Sequence, residues 1–104
     1  MYCYVWEFLV TDQHRQAFET AYGPNGDWVR LFRSDPSYLR TLFLHDQENT
    51  EHYLTMDYWL TRAGYLAFRE RNRSEFDALD ARCATWTAEE RFVGEFDLAG
   101  ESGS

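Results

Sequence analysis

Residues 52–60 read HYLTMDYWL, and apolar groups fall on both alternating sets of positions: Leu54, Met56, Tyr58 and Leu60 on one side, Tyr53 and Trp59 on the other. A strand that is wet on one side shows polar residues there, so a strand apolar on both sides must be covered on both. The run CYVWEFLV at 3–10 has the same character, with Tyr4, Trp6, Phe8 and Val10 opposed to Cys3, Val5 and Leu9. With 104 residues the chain is expected to hold one domain and one small core. Its own helices must then cover one face of a sheet, and something else must cover the other.

The remaining elements follow from local signals. Thr11 and Asp12 can cap a helix whose apolar stripe is Ala17, Phe18, Ala21 and Tyr22, and Gly23-Pro24 ends it. Asn25-Gly26 is a turn, Asp27 can cap a short helix bearing Trp28, Leu31 and Phe32, and Ser34-Asp35-Pro36-Ser37 breaks that helix. A second strand, YLRTLFLH (38–45), is joined to the strand at 52–60 by DQENTE (46–51), which contains nothing apolar and reads as a hairpin loop. Thr61 caps a helix reaching Arg71, and Ser74 with Asp77 gives a capping box for another that carries Phe76, Leu79 and Cys83 on one face. Thr87 with Glu90 repeats the signal for a short turn before a last strand, RFVGEFD (91–97), with Phe92 and Phe96 on one side. The domain is placed at residues 1–97, and LAGESGS (98–104) reads as a flexible tail.

Strand, helix, strand, strand, helix, strand is the α+β, ferredoxin-like split βαβ order. It predicts a four-stranded antiparallel sheet with the long helices on one face. The bare apolar face predicts a homodimer with two sheets face to face.

Composition narrows the function classes. A net charge of −8 argues against nucleic acid and anionic membrane surfaces as partners. The opening MYCYVWEFLV has no basic region or small-residue cleavage site and reads as a first strand, not a signal peptide; no apolar run approaches the roughly 20 residues of a membrane span. Cys3 and Cys83 form no CxxC pair and read as buried thiols in a reducing, cytoplasmic compartment. His45 and His52 flank the hairpin loop and can face one another, but Asp46 and Glu48 supply no third ligand at fixed spacing, so no metal is expected. No phosphate-binding glycine loop or Ser/His/Asp arrangement occurs. Aromatic residues make up 18% of the chain, enough to fill a core, line a cavity or share with a partner.

Asp57 is the sharpest anomaly. Period-2 geometry puts it on one strand face with Tyr53, Thr55 and Trp59. A carboxylate midway along a doubly covered strand needs a partner. Arg40 or Arg91, on neighbouring strands, can supply a structural ion pair. Left desolvated, Asp57 would have a raised pKa and could act as a base. Trp59 is either plain core or a cavity wall, and Tyr65 either lines that cavity or bonds a loop carbonyl.

The segments YGPNGDWVRLFR (22–33), YLRTLFLHD (38–46), HYLTMDYWLTRAGYLAF (52–68) and FDALDARCATWTAEERFVGEF (76–96) together resemble the antibiotic biosynthesis monooxygenase domain family, closest to a bacterial branch of it. The resemblance covers residues 3–97 and implies a dimeric α/β barrel with a cavity in each subunit between sheet and helices. Haem-degrading members carry an Asn on the first strand, a Trp closing the third and a His ten residues later. Here Trp59 is present, but Arg69 stands at the His position and residues 1–12 hold no Asn, so haem degradation is disfavoured. Members that oxidise polyketides pair the Trp with an Asn four residues earlier and a Tyr six residues later; Trp59 and Tyr65 match, and Thr55 replaces the Asn.

The resemblance thus implies a cofactor-independent monooxygenase acting with O2 on a small aromatic or polyketide-type substrate, with no metal, flavin or haem. Trp59, Tyr65 and Asp57 are the expected catalytic residues, and Thr55, Tyr53, Trp6 and Phe68 the expected substrate-binding ones. The alternatives are a non-catalytic dimeric module that binds a small hydrophobic aromatic ligand, and a dimer whose aromatics fill the space completely.

Overall fold

The strands with apolar residues on both sides lie in the middle of the sheet. The computed structural model describes residues 1–103, so Ser104, the last residue of the expected tail, lies outside the described residues. Strands β1 (Tyr2–Leu9), β2 (Tyr38–His45), β3 (His52–Trp59) and β4 (Glu89–Asp97) alternate with helices α1 (Arg15–Tyr22), α2 (Asp27–Phe32), α3 (Arg62–Arg71) and α4 (Arg73–Ala84). The sheet is antiparallel in the order β2-β3-β1-β4, the ferredoxin-like α+β fold.

All four helices pack on one face. Tyr4, Phe8, Tyr53 and Trp59 from the central strands meet Phe18, Trp28, Phe32, Phe68 and Leu79 from the helices in one continuous core. On the reverse face Cys3, Val5 and Tyr58 form a smaller cluster with Met56 packed against it. There Leu42 and Leu44, which pair with Met56 and Leu54, remain 39% and 43% exposed, and Phe96 is 51% exposed. Tyr53 and Trp59 beneath the helices are 1% and 0% exposed, so the asymmetry read from the strands is present in the fold. Among the described residues, no helix is long and apolar enough to cross a membrane.

Several local signals are overridden by their surroundings. The Thr61 side chain does accept from the Gly64 N–H at 3.0 Å and opens α3. Ser74 opens nothing: the Phe76 N–H donates to the Asn72 carbonyl at 2.8 Å, so α4 already starts at Arg73 and Ser74 lies inside its first turn. The N-cap of α2 is Gly26, and Asp27 instead holds Arg30 at 2.7 Å and Arg82 of α4. The Thr11 side chain makes no cap bond. The Thr87 hydroxyl meets Glu90 at 3.2 Å, but Glu89 and Glu90 are already paired with Leu9 and Phe8, so sheet pairing replaces the expected turn.

Phe92 and Phe96 do not share a face. Val5 pairs with Gly94 and Trp6 with Phe92, which leaves Val93 as the extra residue of a bulge. A bulge reverses the alternation. Phe92 therefore meets Trp6 on the helix side, ring centroids 5.2 Å apart, while Phe96 lies opposite Cys3 on the bare face. After β4 the Leu98 N–H donates to the Met1 carbonyl at 2.9 Å, and Glu101 reaches Arg40 at 3.6 Å.

The two hairpin histidines also part company. His45 pairs with Tyr53 and stacks on its ring at 4.1 Å, whereas His52, one residue away, points to the other face. His52 Nδ1 meets Asp46 at 2.8 Å and Nε2 meets Glu7 at 3.0 Å. Backbone N–H of Asn49, the His52 ring and the N–H of Glu48 together bring Asp46 down to about 2. Arg91 and then His52 lower Glu7, and Asp46 and then Glu7 raise His52 above its ordinary 6.5.

The pH dependence follows from these directions. The raised His52 contributes stability that is complete below the unfolded-state value and lost as pH rises through the folded one; the lowered carboxylates contribute stability that is lost as pH falls. Hydrogen exchange of the hairpin amides around Asp46–His52 should be slowest relative to its intrinsic rate between about pH 4.5 and 6.5. Protection that does not vary across about pH 3.5–8.5 would rule out this anchoring.

Candidate functional site

The helix-covered face is not solid. A cavity of about 180 Å³ opens between sheet and helices. Its aromatic walls include Trp6 and Phe8 of β1, Tyr22 of α1, Trp28 and Phe32 of α2, and Phe76 of α4. Its polar lining includes Thr55 and Asp57 of β3, Thr41 of β2 and Tyr65 of α3. Arg69, Asp80 and Glu90 are exposed and form the mouth. Alternation along β3 delivers Thr55 and Asp57 to the same side, and the Thr61 cap folds α3 back so that Tyr65 closes over them.

Asp57 is the chemical centre of this wall. It is buried, and the Thr41 hydroxyl donates to its Oδ1 at 2.6 Å, with Tyr38 Oη 2.7 Å from the Thr41 oxygen. The expected ion pair with Arg40 or Arg91 does not form. An irregularity in β2 puts Arg40 opposite Tyr58, so its guanidinium lies 4.9 Å over the Tyr58 ring on the other face, and Arg91 is engaged with Glu7 at 2.7 Å. Thr41, one residue on, faces Asp57 instead. With hydroxyls and no cation beside it, burial prevails over the Thr41 and Tyr4 hydrogen bonds and pushes Asp57 up to about 6. Such a carboxyl can take and return a proton near neutral pH.

The seven residues expected at the site divide into two groups. Asp57, Tyr65, Thr55 and Trp6 line the cavity. Trp59, Tyr53 and Phe68 do not: they form the layer behind it. Trp59 sits edge-on to Phe32 and Tyr38 at 5.4 Å and packs on Phe68 at 5.0 Å, fully buried at the strand end where α3 returns over it. Its indole N–H is buried without a partner among the described residues. The Tyr53 hydroxyl donates to Glu19 beneath α1, and its ring stacks on Phe43 at 5.3 Å. Trp59 instead braces the lining ring of Tyr65, 5.1 Å away, which packs on Tyr4 at 4.6 Å.

Sequence reasoning missed Thr41, Arg69 and the aromatic walls from α1, α2 and α4. Thr41 had one available signal, a hydroxyl amid an apolar strand; only the register shows that it meets Asp57. Among the described residues, no group of three or more His, Cys, Asp or Glu side chains is arranged to hold a metal ion.

The sequence matches no family model and no curated protein. The fold does have counterparts among solved structures. A mutant form of SnoaB, a cofactor-independent oxygenase of Streptomyces nogalater, superposes with a TM-score of 0.79 at 14% identity over 96% of this chain and 94% of that one. A candidate antibiotic biosynthesis monooxygenase of Nitrosomonas europaea gives 0.74 at 20% identity, over 96% and 100%. A candidate antibiotic biosynthesis monooxygenase of Deinococcus radiodurans gives 0.78 at 11% identity, over 100% and 97%. At these identities the likeness is one of fold.

Proposed function

We propose that this chain, whose fold is that of the antibiotic biosynthesis monooxygenases, is a cofactor-independent monooxygenase that oxidises a small aromatic substrate with O2. The observation that carries the reading is Asp57, a buried carboxyl with no cation partner among the described residues, raised to about 6 in the wall of an aromatic cavity.

A one- or two-ring hydroxyarene in its keto tautomer carries an acidic C–H on a ring methylene para to the carbonyl. Asp57 takes that proton, and the resulting carbanion passes one electron to O2. The radical and superoxide combine into a peroxide, which is protonated and loses water to leave a carbonyl. In sum, the methylene and one molecule of O2 become a carbonyl and one molecule of water. The Thr55 and Tyr65 hydroxyls are suited to hold the substrate's oxygen, and the aromatic walls exclude water from the carbanion. Trp59, Tyr53 and Phe68 keep those walls in place from behind. A volume of about 180 Å³ is below the roughly 300–1,000 Å³ of drug-sized sites, which favours one or two rings over a four-ring polyketide.

The working unit in this reading is a homodimer, with a second copy covering the bare face. The two free, buried thiols, Cys3 and Cys83, suit a reducing compartment such as the cytoplasm.

O2 uptake in the presence of naphthols and naphthalene diols tests the activity. Uptake should match substrate loss one to one, with no added metal, flavin or haem. Ligands that quench tryptophan fluorescence but drive no uptake would replace the enzyme with a non-catalytic binding module.

A further inference from the structure

The chain has ten basic residues, all arginine, against 18 acids. Arg15, Arg30, Arg40, Arg62, Arg71, Arg73, Arg82 and Arg91 each hold a carboxylate. That leaves Arg33 and Arg69 without an ion pair among the described residues, and of these Arg69 lines the cavity. In so acidic a chain, an unpaired cation at a cavity mouth is a notable exception.

Arg69 is also held in place. It lies one helical turn beyond Tyr65, on the same face of α3, and its guanidinium rests 4.5 Å over the Phe76 ring, itself part of the cavity wall. The Tyr65 hydroxyl and the Arg69 guanidinium thus form a donor pair on the helix wall, while Asp57 stands on the sheet floor. Burial raises Tyr65, and Arg69 is the foremost influence opposing that rise.

We propose that Arg69 binds the oxyanion of the reaction: Asp57 takes the proton at one end of a small hydroxyarene, and Arg69 with Tyr65 holds the oxygen that receives the charge at the other. The inference rests on Asp57 acting as base. In this step a C–H bond breaks at the ring methylene para to the carbonyl of the hydroxyarene's keto tautomer, the proton passes to the Asp57 carboxylate, and the electron pair moves through the ring to the carbonyl oxygen. Asp57 ends neutral, and the negative charge ends beside the guanidinium. No electron leaves the substrate until O2 enters.

The charges at the mouth specify the substrate class further. Asp80 and Glu90 at the mouth, with Asp57 on the floor behind them, set three carboxyls against one guanidinium. A ligand bearing a permanent carboxylate is repelled on approach. A neutral hydroxyarene enters uncharged and becomes an anion only inside. The substrate class is a neutral one- or two-ring hydroxyarene that reacts through its keto tautomer, with the acidic ring methylene para to the oxygen that takes the charge.

The test uses the whole protein without O2 and 4-nitrophenol, a neutral one-ring phenol whose anion is yellow and carries charge onto the para nitro group. Titration at a pH below the phenol's own pKa should develop the phenolate band on the wild-type protein. Arg69→Met should reduce the bound phenolate fraction by roughly tenfold or more, and Arg69→Lys should restore part of it. 4-Nitrobenzoate should bind more weakly than 4-nitrophenol. Circular dichroism checks that the variants, altered at an exposed position, remain folded. An equal band in Arg69→Met, a bound ligand that stays neutral on the wild-type protein, or no binding at all would each overturn the assignment. An Arg69-dependent band without O2 uptake from any substrate would keep the assignment and remove the monooxygenase reading.

Discussion

Replacing Asp57 with asparagine is expected to lower kcat by about 10²–10⁴-fold while making the protein harder to melt at neutral pH. The two effects share one cause. Burial lifts the Asp57 carboxyl from its ordinary 3.8 to about 6, so folding binds a proton between those values. The stabilising contribution is complete below 3.8 and is lost as pH rises through about 6. At pH 7 the ionised group weighs against the fold by about 3 kcal/mol, from about 1.4 kcal/mol per pKa unit. Asparagine keeps the shape and the contact with Thr41 but carries no charge to desolvate. Thermal melts should therefore show a gain at about pH 7.5 that shrinks toward pH 4, and turnover should lose the rise through about pH 6 expected of the wild type. Unchanged turnover would take the base role from Asp57. Loss of stability together with activity would reduce it to a structural residue. A gain in stability with loss of function is the mark of strain kept for chemistry.

A glutamate at Leu42 or Leu44 is expected to split the proposed dimer. Both side chains lie on the bare face, 39% and 43% exposed, beside the patch formed by Cys3, Val5, Met56 and Tyr58. Charged groups frame that patch: Arg40 over Tyr58 near one end, and Glu7 with Arg91 and His52 near the other. An apolar centre inside a polar rim is the usual anatomy of a protein interface. Burying an unpaired carboxylate at that centre costs several kcal/mol, and each 1.4 kcal/mol is tenfold in affinity, so the dimer Kd should rise by about two orders of magnitude or more. Sedimentation velocity over micromolar concentrations would register the change, with circular dichroism confirming the fold. A wild-type protein that stays monomeric at roughly 100 μM would end the proposal, because this face would then be wet in the native state.

The order of elements was legible because its signals are local. Alternation over 52–59, the Thr61 cap and the hairpin gap without apolar residues each depend on a few neighbouring positions. Where reading failed, a distant segment had intervened. Phe92 and Phe96 share parity in the sequence, but β1 pairs with β4 through a bulge at Val93 and sends them to opposite faces. Thr87 and Glu90 carry the signal for a short turn, and pairing with β1 claims Glu90 for the strand.

The same division runs through the candidate site. By itself, the sequence determined that a sheet would have two apolar faces and helices for one of them, and that Asp57, Thr55 and Trp59 would leave the strand on the same side; both follow from the period of the chain. Only the tertiary structure decided what each of them meets. Register places Thr41, not Arg40, against Asp57, and the return of α3 seals Trp59 behind Tyr65 while bringing Arg69 to the cavity mouth. Whether a buried carboxyl faces a hydroxyl or a guanidinium turns on a one-residue step in an adjacent strand. The energies that set that step belong to the whole packed sheet and to no single segment.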